Sequence, residues 1–160
     1  GTCSTKHAIL RKLALENNHP EVKLIIGIFK MDANYTFKIK KTLEKYGLNY
    51  IPEAHNYLTI EDEYFDFTKP NSSYDDFKNK LLLEKETEYN QIGSEKIAFH
   101  KDFLKKWIDE ERCPYNLDEI WEIREQCILD LQQNPESEIQ NSSPVCYLNS
   151  PEIREDYKTE

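Results

Sequence analysis

The sequence predicts an α+β domain, and three patterns carry that expectation. A nearly continuous apolar and β-branched run occupies 22–29. The pattern changes to period two over 53–68, around an acidic turn. Helical spacing of apolar residues follows Cys3 and returns twice after Ser94. At 160 residues the chain has the length of one ordinary domain, long enough to bury about two-thirds of its unfolded surface around a single core.

The first helix is expected directly after Cys3, where Ala8, Ile9, Leu13 and Ala14 recur at helical spacing among Lys6, Arg11 and Lys12. Ser4 and Thr5 are its candidate caps, and Asn17, Asn18, His19 and Pro20 stop it. The run that follows, with Val22, Leu24, Ile25, Ile26, Ile28 and Phe29, reads as a central strand buried on both faces. Phe37, Ile39, Leu43 and Tyr46 suggest a helical segment over 34–46, with Gly47 as its stop. The period-two stretch reads as a β-hairpin turning at Glu61, Asp62 and Glu63. Leu81, Leu82 and Leu83 form a short apolar run of open type. Two amphipathic helices then form a packed pair. The first opens at Ser94 and runs through Ile97, Phe103, Leu104, Trp107 and Ile108; the second spans about 118–132, with Ile120, Trp121, Ile123, Cys127, Ile128 and Leu131 on its stripe. The domain is therefore placed at 1–134, with a polar, loose tail over 135–160 anchored at most by Val145, Cys146, Tyr147 and Leu148.

Composition narrows the partners. Lys and Arg total 21 against 30 Asp and Glu, a formal charge of -9, which speaks against nucleic acid or an anionic membrane as the main partner. No apolar run approaches the roughly 20 residues of a membrane span, and the order of a signal peptide is missing from the start. The chain begins at Gly1 and not Met, so any upstream signal lies outside this reading. Cys3, Cys113, Cys127 and Cys146 lie far apart with no Cys-x-x-Cys pair, poor spacing for zinc and thin for a disulfide framework. The expectation is a soluble, cytoplasmic domain with reduced thiols, no cofactor and no metal.

The chemistry concentrates on three residues. A catalytic cysteine must be a thiolate near neutral pH, which a helix N-terminus and a neighbouring histidine both favour. Cys3 stands at such a helix start, whose free amides could also receive an oxyanion. If the hairpin turns on the two residues Glu61 and Asp62, Ile60 faces Glu63, Tyr57 faces Asp66 and His55 faces Thr68. One face then carries His55, Tyr57, Thr59, Tyr64, Asp66 and Thr68, and the other carries Leu58, Ile60, Phe65 and Phe67 toward the core. His55 and Asp66 become diagonal neighbours about 7–8 Å apart, close enough for a side-chain hydrogen bond. A carboxylate there would fix the imidazole tautomer and favour its protonated form, the logic of nucleophile, base and orienter.

Gly1, Thr2, Cys3, Ser4, Thr5, Lys6 and His7 opening a helix, Glu53, Ala54, His55, Asn56, Tyr57 and Leu58 on one strand, and Tyr64, Phe65, Asp66, Phe67 and Thr68 on the next resemble the transglutaminase-like branch of the papain-like fold. The chain order Cys, His, Asp is that family's order, and the resemblance spans roughly the first 70 residues. It implies a nucleophile helix packed on a small antiparallel sheet, and a cysteine-dependent hydrolase or acyltransferase acting on a peptide, protein or other amide-bearing substrate through Cys3, His55 and Asp66. A catalytically inactive interaction domain on the same fold is the alternative, and a chance juxtaposition in an unrelated α+β domain is a third.

Other candidates have blander readings. His7, one turn beyond Cys3, reads as a surface or core-edge histidine, and His19 and His100 as structural or solvent-facing. The cluster Glu61, Asp62 and Glu63 lacks the alternating ligands and glycine of a calcium loop and reads as an exposed turn. Trp107 and Trp121 read as core.

Overall fold

The computed structural model of the protein describes residues 2–132. The α+β expectation holds for them: four α-helices and a four-stranded antiparallel sheet. Helix α1 (Cys3–Glu16) leads into strand β1 (Lys23–Asp32). A 3-10 turn at Phe37–Ile39 and helix α2 (Lys40–Lys45) follow, then β2 (Tyr50–Ile60) and β3 (Glu63–Phe65). Two further 3-10 turns precede β4 (Leu81–Thr87), and α3 (Ser94–Glu110) and α4 (Leu117–Gln132) complete the described chain. The sheet order is β3-β2-β1-β4, so the apolar run places β1 inside the sheet and the three leucines start an edge strand. Among the described residues no helix is long and apolar enough to cross a membrane.

Both faces of β1 and β2 are covered, which is why alternation is weak in each. On one face Phe29, Met31, Ile51 and Tyr57 join Ile39 and Leu43 from the α2 region, Phe77, and Leu104, Trp107, Ile120, Ile123 and Cys127 from the C-terminal helix pair. On the other, Leu24 and Leu58 meet Ala8 of α1, while Ile26, Ile28 and Ala54 meet Phe99 and Phe103 of α3. Trp107 lies in the core, its indole N–H donating to the Tyr50 hydroxyl at 2.8 Å. Gly47 takes φ +64° just past α2, the left-handed stop that its position predicts.

The hairpin turns on Glu61 and Asp62, both at positive φ, and Ile60 pairs with Glu63 as the parity argument requires. The ladder nevertheless ends at Leu58 and Phe65. Tyr57 and Asp66, and His55 and Thr68, are therefore not strand partners. The chain past Phe65 instead folds against α1: the Phe67 amide donates to His7 Nε2 at 2.8 Å and Lys6 Nζ donates to the Thr68 carbonyl at 2.5 Å. The expected division into a core face and a polar face also fails. Tyr57 and His55 are buried, whereas Phe67 is half exposed.

Helix α1 departs furthest from its sequence reading. Its cap is Thr2, not Ser4 or Thr5; the Thr2 side chain accepts from the Thr5 amide. Its buried stripe is Ser4, His7, Ala8 and Arg11, while Ile9 (52% exposed) and Leu13 (48%) face out. Helix α3 opens at Ser94 as expected, but Ile97 is exposed while His100 is buried, bonded through Nε2 to the Pro52 carbonyl at 2.9 Å. The tail over 135–160, its patch around Val145 and Cys146, and the boundary at 134 lie outside the described residues.

Candidate active site

The first turn of α1 places Cys3 beside β2. Thr5 bonds the Thr2 side chain and the Lys6 amide bonds the Thr2 carbonyl at 3.2 Å. The amides of Cys3 and Ser4 have no partner within the helix, as at any helix start. The thiol is half-buried, lies 3.9 Å from Ser4 Oγ, and feels His55 and the Asn56 amide as the neighbours that favour its charged form. Cys3 is one of three free cysteines among the described residues, with Cys113 and Cys127.

On its other side His55 meets Asp66. Nε2 lies 3.3 Å from Asp66 Oδ2 and 3.4 Å from Thr68 Oγ1. With Nε2 so engaged, Nδ1 is the ring nitrogen left for the thiol. Asp66 is fixed in turn: the Thr68 amide (2.9 Å) and hydroxyl (2.5 Å) both donate to its Oδ1. The structure thus brings Cys3, His55 and Asp66 together in that order, although Asp66 arrives on a turn beyond the hairpin ladder.

The charges follow from this packing. Burial raises the Cys3 thiol, but His55, the Lys96 charge and the Asn56 amide outweigh it and bring the thiol down to about 6. Burial lowers His55, yet its bonds to Asp66 and Cys3 lift it to about 9. Asp66, raised by burial but bonded by His55 and Thr68, falls to about 2. The three directions agree, with the thiol lowered, the imidazole raised and the carboxyl lowered, and together they favour thiolate, imidazolium and carboxylate.

Several residues that support the site were not assigned to it by the sequence reading. Lys96 of α3 crosses to the start of α1 and donates to Ser4 Oγ (2.7 Å) and Asn56 Oδ1 (3.0 Å), a cation behind the thiol. One lysine among many on a helix gives no warning of this. Tyr57 stacks on His55 at 6.1 Å between centroids and reaches over Gly27 to bond Glu84 on β4. A β-carbon at Gly27 would lie 2.8 Å from the Tyr57 hydroxyl and 2.9 Å from Leu81, so the absence of a side chain there gives Tyr57 its path. Glu53, on the same strand, takes both guanidinium arms of Arg124 at 2.5 and 2.6 Å and ties α4 to β2. His7 is wholly buried and not at the surface; its spacing from Cys3 was the available signal.

Among the described residues no group of three His, Cys, Asp or Glu is arranged to hold a metal ion, and Glu61, Asp62 and Glu63 are exposed in their turn. His19 is exposed and pairs with Glu21 at 2.9 Å. No family model, curated protein or solved structure matches this chain.

Proposed function

We propose that this chain is a transglutaminase-like domain on the papain-like fold that performs cysteine-dependent acyl transfer, with hydrolysis as transfer to water. The observation that carries the reading is His55 set between Asp66, 3.3 Å from its Nε2, and Cys3, whose charge it favours, with the sulfur at a helix N-terminus. In this reading the Cys3 thiolate attacks the carbonyl carbon of a peptide or carboxamide. The oxygen gains negative charge and is received by main-chain amides, of which Cys3 and Ser4 at the start of α1 are the nearest candidates. The His55 imidazolium gives its proton to the departing nitrogen, the carbon–nitrogen bond breaks, and an acyl thioester remains on Cys3. His55, now neutral, takes a proton from water or from an acceptor amine as that nucleophile attacks the thioester, and the thiolate is released. Asp66 keeps the ring oriented and stabilises its charged form.

An activated ester tests this without knowledge of the natural substrate. With p-nitrophenyl acetate the protein is expected to release a stoichiometric burst of nitrophenolate and to carry one acetyl group on the peptide containing Cys3. Cys3→Ala abolishes the burst. Acetylation spread evenly over Cys113 and Cys127, or a burst unchanged in His55→Ala, contradicts the reading.

A further inference from the structure

The second histidine of the site is held by bonds that fix its tautomer. His7 Nδ1 lies 2.8 Å from the Cys3 carbonyl oxygen, which can only accept, so Nδ1 carries a proton. The Phe67 amide donates to Nε2 at 2.8 Å, so Nε2 carries none. The ring is therefore a neutral Nδ1–H imidazole. Asp66 Oδ1 lies 3.5 Å from Nε2, but two acceptors face each other there, and this contact is no ion pair. The proton donors to Asp66 are Thr68 and His55.

We propose that His7 is a positioning residue: as a neutral imidazole it ties the carbonyl of the nucleophile to the main chain beside Asp66, and so sets the spacing of Cys3, His55 and Asp66. This inference rests on the catalytic reading above. The residue it joins at each end is the one that matters: Cys3 on α1, and Phe67, next in chain to Asp66. No strand pairing holds that second segment, since the β2–β3 ladder stops at Phe65. His7 thus replaces the strand pairing that Asp66 lacks. Its ring stacks on Phe67 at 6.1 Å and stands edge-on to His55 at 6.2 Å. The groups whose charges reach it are Asp66, His55 and Lys6; burial, the largest influence, holds it below the ordinary histidine range. Protonation would set an N–H against the Phe67 N–H and free that bond. It would also give Asp66 a second imidazolium to pair with.

Two measurements on the whole chain test this. Long-range nitrogen–proton NMR of the wild type is expected to show His7 neutral with its proton on Nδ1 at pH 7, beside a doubly protonated His55. A proton on Nε2, or an imidazolium at His7, overturns the proposal and needs no variant. His7→Phe keeps ring and volume but loses both bonds; p-nitrophenyl acetate acylation is expected to fall about tenfold or more as the site loosens, with its acid limb moved upward. His7→Gln, with one donor and one acceptor, is expected to restore the rate to within about threefold. A folded His7→Phe with the wild-type rate and pH profile overturns the proposal; if that variant does not fold, the tautomer decides. The two claims fail separately: a rate lost in His55→Ala but kept in His7→Phe removes only the role of His7, whereas a rate kept in His55→Ala removes the catalytic reading.

Discussion

Helices α1 and α4 bury stripes of the same spacing with opposite chemistry. On α4 the buried positions are Ile120, Ile123 and Cys127, with Arg124 anchored to Glu53 at the margin. On α1 they are Ser4, His7, Ala8 and Arg11, while Ile9 and Leu13 face out. Most buried polar groups are bonded, and here Arg11 Nε alone among the buried side-chain nitrogens and oxygens of the described residues has no partner. His7 has two such bonds, Ser4 receives Lys96, and Arg11 donates to the Pro20 carbonyl at 3.1 Å and to that of Val22. Helix α1 thus buries three polar residues beside Ala8 and turns Ile9 and Leu13 outward, whereas the fully buried stripe of α4 is apolar.

The contrast can be broken by substitution. Leu104→Ala, in the apolar core, is expected to lose about 2–5 kcal/mol of stability, read from denaturant unfolding, with Cys3 reactivity unchanged in the folded fraction. Gly27→Ala, where the core meets the site, forces Tyr57 or Leu81 aside and is expected to cost about 1–3 kcal/mol, and it also disturbs the ring stacked on His55. Asp66→Asn acts on the polar side. The Asp66 carboxyl lies at about 2 in the fold against 3.8 ordinarily, so its stabilising effect is complete above the ordinary value and disappears as pH falls toward 2. The Asn variant should lack that part of the acid dependence when unfolding is followed from pH 5 to 2. Ile9→Gln and Leu13→Gln, which would be core changes if the apolar stripe of α1 faced inward, are expected to shift stability by no more than about 0.5 kcal/mol.

Much of this architecture is legible in the residues, because it rests on local rules. The unbroken run around Ile25–Ile26 marks an interior strand, Gly47 marks a helix stop, and the acidic run 61–63 marks the hairpin turn, whose register follows once the turn is taken as Glu61–Asp62. The same rules misplace what depends on distant contacts. Periodicity aims α1 by Ile9 and Leu13, because nothing local reveals that Lys96, Phe67 and Asp66 offer bonds to a polar face. Parity extends the hairpin to Thr68, because the sequence does not show that His7 and Lys6 take over the main chain past Phe65. The expected proximity of His55 and Asp66 survives that error for a different reason: the chain turns on the bonds of Thr68 to Asp66, and the carboxylate still reaches the ring.

The rate of Cys3 alkylation by iodoacetamide against pH reads whether Cys3 is a thiolate held by His55. The expected profile inflects near 6; in His55→Ala the inflection moves up toward the ordinary thiol value of about 8.5, with a rate at pH 6 about tenfold lower once the greater intrinsic nucleophilicity of the less acidic thiol is allowed for. A wild-type inflection at the ordinary value, unmoved in His55→Ala, would mean that His55 does not hold the thiolate.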